Sequence, residues 1–157
     1  MKVRLMFIGK TVSNALKELE QTYEKRLIHY VSYERIELPD VKQASSFTPA
    51  QLKEKEGQLF LAKISDDQHV ILLDEQGTSY TSEGFAQFLA KHELHSSKKI
   101  TFCIGGAFGF SSELYARSNG KIALSKMTFS HQMVRTIFLE QLYRACTINK
   151  GEKYHHS

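Results

Sequence analysis

The sequence predicts an α/β domain with a mostly parallel sheet flanked by helices. Three observations carry that prediction. Short apolar runs of strand length alternate along the whole chain with longer stretches whose apolar residues recur every three or four positions. The run 69–74 is almost unbroken in apolar character, as a strand covered on both faces requires. The runs 100–104 and 122–124 each stop abruptly in a loop, and loops at the carboxyl ends of strands form the ligand crevice of open α/β sheets.

The elements follow in order. Val3, Leu5 and Phe7 alternate with other residues and end at Gly9, which reads as a strand. Val12, Leu16, Leu19, Tyr23, Leu27 and Tyr30 have the spacing of an amphipathic helix. Ile36 and Leu38 close a second strand before Pro39, and 41–47 reads as loop. Thr48, Pro49 and Gln51 form a helix start with a capping box. Its expected buried face is Leu52, Leu59, Phe60 and Ile64, while Gly57 costs it about 1 kcal/mol relative to alanine. After strand 69–74, residues Glu75, Gln76 and Gly77 read as a crevice loop. Thr81 or Ser82 starts a helix with Phe85, Phe88 and Leu89 inward. The fourth strand, 100–104, leads through the glycine-rich loop 105–109 and a short polar helix to the fifth, 122–124. Loop 125–130 then feeds the last helix, with Ser130 as its cap and Val134, Ile137, Phe138, Leu142 and Ala145 inward. Glu140 and Arg144 form an i,i+4 pair. Met133 and Leu139 widen the apolar stripe, which points to a dimer surface.

The chain of 157 residues is read as one domain, 1–157, with 41% hydrophobic and 24% charged residues. The apolar run 3–8 is too short for a signal peptide, and no stretch is long enough to span a bilayer. Cys103 and Cys146 make neither a disulfide framework nor a metal spacing and are expected to be buried. The expected compartment is the cytoplasm. The net charge is +4, and from Glu113 onward seven basic residues face three acids, so this segment carries the whole excess. A basic end beside a ligand loop suits a polyanionic partner.

Familiar chemistries fit poorly. The first strand offers only Gly9 where a dinucleotide fingerprint needs three glycines. Gly105, Gly106 and Gly109 lack both that spacing and the lysine of a phosphate loop. His92 and His95 have no third ligand at metal spacing, so no metal is expected. No nucleophile elbow is present.

Several segments taken together are more specific: V-I-L-L-D-x-x-G at 70–77, I-G-G-x-x-G at 104–109, L-S-K-M-T-F-x-H-Q-M-x-R at 124–135, E-Q-x-Y-R-A at 140–145, and Tyr154-His155. With E-K-R-L at 24–27 and K-E-K-E-G-Q at 53–58, they resemble one family over nearly the whole chain. It is the small SPOUT-class (α/β-knot) family that methylates N3 of a pseudouridine in 23S ribosomal RNA. The resemblance implies a C-terminal trefoil knot, a homodimer acting on the assembled ribosome, and S-adenosylmethionine as cofactor. It carries the cofactor loops onto Leu73, Gly105, Leu124, Ser125, Lys126, Met127, Thr128 and Phe129. His131 is the candidate general base, because imidazole titrates near neutrality. Arg135 is the candidate for offsetting charge or holding a phosphate, and Tyr154 and His155 for orienting the nucleotide in a neighbouring protomer's site. Two positions depart from the family pattern: Ser130 stands where relatives have proline, and His156 where they have lysine or arginine. The alternative reading is a non-catalytic RNA- or ribosome-binding protein.

Overall fold

The computed structural model describes residues 1–96 and 99–156. Among these, five strands form one sheet: β1 (Lys2–Ile8), β2 (Ser32–Leu38), β3 (Gln68–Ser79), β4 (Lys99–Ile104) and β5 (Gly120–Ala123). Their order across the sheet is β2-β1-β4-β3-β5, and every pairing is parallel. Five α-helices connect and cover them: α1 (Asn14–Leu27), α2 (Pro49–Leu61), α3 (Ser82–His95), α4 (Ser112–Arg117) and α5 (Met133–Asn149). One 3₁₀ turn, Ala44–Ser46, lies in the segment read as loop.

Side chains of a strand point alternately to the two faces, and this parity builds two cores. Val3, Leu5 and Phe7 of β1, with Ile100, Phe102 and Ile104 of β4, face α1, α3 and α5 and pack against Leu27, Phe85, Leu89, Phe138 and Leu142. Met6, Ile8, Leu72 and Cys103 face the other way, toward Phe60 of α2 and Leu114 of α4. Both cysteines are buried and unpaired, as expected. Among the described residues no helix is long and apolar enough to cross a membrane.

Local signals set most boundaries. The capping box of Thr48 and Gln51 forms as read, with Pro49 opening α2. Thr81 accepts a hydrogen bond from Gly84 N and caps α3. Ser130, expected to cap the last helix, instead holds the turn before it: α5 starts at Met133 with Gln132 at its N-cap and no side-chain cap bond, while the Ser130 hydroxyl accepts from Met133 N at 3.1 Å and its carbonyl from Val134 N at 3.0 Å.

Other expectations need correction. Val12 precedes α1 and is 80% exposed, and Leu19 is also exposed. The buried stripe of α1 instead includes Glu20, held by a polar network described below. Leu139 does not widen an outer surface; it is fully buried in the protomer core, while Met133 remains exposed. Gly57 is buried where α2 meets the start of α4, and a Cβ there would lie 2.2 Å from Ser111 Oγ. Close helix packing explains a glycine that helix propensity alone disfavours.

The largest correction concerns β3. The strand does not stop at Asp74. It pairs with β5 through Leu73, opposite Ile122, leaves the ladder, and rejoins it with Thr78 opposite the same Ile122. Residues 74–77 are therefore extruded as a loop from within a strand. Gly77 makes the return possible, since a Cβ there would lie 2.6 Å from the backbone nitrogen of Ile122.

Candidate active site

Three loops meet at the carboxyl edge of the sheet. They are the extrusion 74–77 in β3, the glycine turn after β4, and the segment between β5 and α5. Together they enclose a cavity of about 1110 Å³, slightly above the usual range for small-molecule sites. The convergence follows from topology, because β4 and β5 lie on either side of β3 and all three strands end in the same direction.

Each loop is held by contacts of its own. Gly109 N donates to Gly106 O at 3.1 Å, closing the turn after β4, and Gly109 adopts φ +84°. Gly106 is backed by Glu56 of α2, whose carboxylate oxygens approach to 2.6 Å of where a Cβ would stand. Glu56 is only 7% exposed, and its Oε1 has no hydrogen-bond partner. Burial, then the nearby Asp40 charge, pushes its carboxyl above the usual carboxylate range. Ser125 Oγ accepts from Met127 N at 2.9 Å and shapes the third loop. Thr128 Oγ1 donates to Glu75 Oε2 at 2.6 Å, tying the third loop to the extrusion of β3. Asp74 accepts from Gln76 N at 2.8 Å and from the hydroxyl of Tyr115 on α4. Burial and the Asp74 carboxylate push the Tyr115 hydroxyl up to about 12, so it remains a protonated donor at neutral pH.

Leu73, Gly105, Leu124, Ser125, Met127, Thr128 and Phe129 all line this cavity, and so does His131. Lys126 does not; it is exposed on the outer side of its loop. The wall also includes Asp74, Tyr115 and Lys121, which the sequence reading did not single out. Asp74 reads there as the last residue of a strand and Tyr115 as part of a polar helix, and only the extrusion of β3 brings them together.

Arg135, the candidate for offsetting charge or holding a phosphate, is placed outside the lining of this cavity. It is 1% exposed and points beneath α5 toward the end of β1. Its guanidinium donates to Ile8 O at 2.7 Å and to Gly9 O and Thr11 Oγ1 at 3.1 Å. It also lies 3.8 Å from the centre of the Phe7 ring. Thr11 passes the interaction on by donating to the buried Glu20 carboxylate at 2.8 Å, which also accepts from Arg35 at 3.0 Å. Burial lowers the Arg135 guanidinium to about 10, so it stays cationic at neutral pH. Sequence distance hid this role, because the acceptors lie more than 120 residues away.

Tyr154 and His155 also lie outside the lining of their own protomer's cavity. The tail is docked on α5 and α3. Tyr154 donates to Glu140 at 3.1 Å and packs edge-on against Tyr143. His155 Nε2 meets Glu83 at 2.9 Å, and its Nδ1 meets Arg144 at 3.2 Å. Arg144 has only donors, so Nδ1 accepts and Nε2 carries the proton given to Glu83. The expected Glu140–Arg144 pair forms at 2.6 Å. Among the described residues no group of three His, Cys, Asp or Glu is placed to hold a metal.

A parallel sheet covered on both faces, with one large cavity at its carboxyl edge and glycine-rich walls, defines an open α/β domain shaped around a nucleoside-sized ligand. Comparison with known proteins narrows that class. The family model described as "Predicted SPOUT methyltransferase" matches residues 1–155, and the chain belongs to that family. It is 51% identical to the ribosomal RNA large subunit methyltransferase H of Cytophaga hutchinsonii over 156 residues, covering 99% of this chain and 100% of that protein. It is 47% identical to the protein of the same name from Christiangramia forsetii, covering 99% of each. A probable methylase family protein from Haemophilus influenzae Rd KW20 shares the fold, with a TM-score of 0.55 at 13% identity over 99% of this chain and 70% of that one.

Methyltransferases of this family use S-adenosylmethionine, and the residues present fit it. Leu73, Leu124, Met127 and Phe129 offer apolar walls for an adenine ring, the turn at Gly105 brings backbone to the cavity, and polar groups gather at the β3 extrusion.

Proposed function

We propose that this protein methylates N3 of a pseudouridine in 23S ribosomal RNA, acting as a cytoplasmic homodimer on the assembled ribosome. In this reading the chain is one domain, 1–157, whose C-terminal segment follows a knotted path. One observation carries the proposal: loops from three strands, each bearing a segment of the family pattern, converge on a single cavity.

S-adenosylmethionine supplies a methyl group made electrophilic by its sulfonium. The chain must hold the acceptor nitrogen in line with that methyl group, and such alignment contributes roughly 7–11 kcal/mol in favourable cases. The cavity loops are well suited to this, because the Thr128–Glu75 bond and the Glu56-backed turn fix their relative positions. His131 lines the cavity at the entrance to α5 and takes the imide proton or orients the base. Arg135 has no part in that step; it holds the end of β1 under the first turns of α5.

The dimer reading is supported by apolar residues left exposed on one side of the molecule. Val12 N donates to Gln132 Oε1 at 2.8 Å, which places Val12 beside Met133. Both side chains are exposed, and α1, carrying exposed Leu19, packs along α5. In this reading Tyr154 and His155 serve the cavity of the neighbouring protomer, where they orient the nucleotide.

A charge of +4 per chain is modest for an RNA-binding enzyme. Each phosphate contact adds only about 0.7–0.9 to the salt slope. Selectivity is therefore assigned to docking on the assembled particle. The test is methyl transfer from labelled cofactor to ribosomes lacking the modification, followed by mapping of the modified nucleotide. Labelling at pseudouridine N3 in ribosomes, with poor transfer to naked RNA, is expected. Methylation of another atom, or equal rates on a naked stem-loop, would overturn the reading.

A further inference from the structure

We propose that Asp74 is the residue that recognises the ribose of the adenosyl cofactor, accepting both vicinal hydroxyls on its carboxylate. Asp74 lines the cavity and directly follows Leu73, one of its apolar walls. In an adenosyl group the ribose is bonded to the adenine, so the polar group next to the apolar slot is the one that meets the sugar.

The geometry of the carboxylate fits a diol. Oδ1 accepts from Gln76 N at 2.8 Å and Oδ2 accepts from the Tyr115 hydroxyl. Each oxygen has two lone-pair directions, so each keeps one free acceptor site, one for each hydroxyl of a diol. The two existing bonds lock the orientation before any ligand arrives, which reduces the ordering cost of binding.

Charge separates a diol from the alternative donor on the same cofactor, its amino-acid ammonium. Lys121 places its Nζ 5.3 Å from the centre of the Tyr115 ring, and it also lines the cavity. A second cation beside this lysine is disfavoured, while two neutral hydroxyls are not. The extrusion of β3 acquires a purpose in this light: a regular strand would leave Asp74 in the ladder opposite β5, whereas the loop turns it into the cavity wall.

The inference rests on the reading of S-adenosylmethionine as cofactor and is independent of the RNA acceptor. It is tested by isothermal titration calorimetry with S-adenosylhomocysteine and its 2′-deoxyribose counterpart. The wild-type chain is expected to bind the ribose form about tenfold more tightly or better. Asp74→Ala is expected to lose about 10–100-fold for the ribose form and to bind the two ligands within about twofold of each other. Asp74→Asn keeps the side chain's shape and guards against misfolding of the alanine variant, which thermal melting without ligand checks. It too is expected to narrow the gap. An unchanged gap between the ligands in either folded variant would overturn the assignment of Asp74 while leaving the cofactor reading intact. Failure of the wild-type chain to bind either ligand would overturn both.

Discussion

Replacing Arg135 by methionine separates a structural role from a chemical one. The side chain is fully enclosed, makes three hydrogen bonds of 2.7–3.1 Å, and covers the Phe7 ring. Methionine keeps most of the volume but withdraws the donors from two buried carbonyls and from Thr11. Hydrogen bonds from a charged donor contribute about 1.5–3 kcal/mol each. Their sum overstates the loss, because the variant no longer has to bury a cation. The expected net destabilisation is about 2–4 kcal/mol. For a domain of this size that lowers Tm by roughly 5–15 °C. Thermal and urea denaturation measure the loss, and calorimetry with S-adenosylhomocysteine, below the transition, measures the site. Cofactor affinity is expected to stay within about twofold, since Arg135 does not line the cavity. Lysine is expected to rescue only in part, because a point-like ammonium cannot reproduce the fork that meets Ile8, Gly9 and Thr11. A variant that melts like the wild type yet fails to transfer methyl groups would refute the reasoning and return Arg135 to the reaction.

Glu56→Gln is expected to stabilise the fold at neutral pH by about 1 kcal/mol, by removing a buried carboxylate with an unpartnered oxygen. The sign is fixed by the raised carboxyl: the folded state holds its proton more tightly than the unfolded chain, so wild-type stability falls as pH rises from the ordinary value of 4.5 toward the raised one. The advantage of the variant should therefore vanish in melts below about pH 4, and a constant difference across pH would contradict it. Gly57→Ala should destabilise by about 1–3 kcal/mol despite its better helix propensity, because the new methyl meets Ser111 Oγ and Cβ. Adding Ser111→Gly should recover part of that loss, and strict additivity in urea melts would count against the contact. Gly77→Ala should open the β3–β5 ladder beside the cavity, lowering both Tm and cofactor affinity by measurable amounts, the latter about tenfold or more by calorimetry.

Much of the fold was legible because its signals are local. Apolar runs, the Thr48 capping box and the Thr81 cap depend on residues a few positions apart, and the structure realises each of them. Misreadings occurred where a residue's partner is remote. Val12 looks like the first apolar position of a helix, but a strand-to-helix loop leaves it on the surface. Leu139 looks like surplus apolar surface, but the packing of α5 between α1 and α3 covers it. Gly57 looks like a weak point in α2 until Ser111 is seen against it.

The candidate site divides in the same way. By itself the sequence determined where the ligand loops begin, because each follows an apolar strand, and its motifs pointed to the methyltransferase family. It also determined the excess of basic charge toward the end of the chain. Only the tertiary structure decided that β3 leaves and re-enters its ladder, that Asp74 and Tyr115 share a cavity wall, and that Arg135 turns inward to the end of β1. The physical reason is common to all three. Helix and strand periodicity express neighbours along the chain, whereas the direction of an individual polar side chain is set by hydrogen-bond partners that become neighbours only when the sheet is assembled.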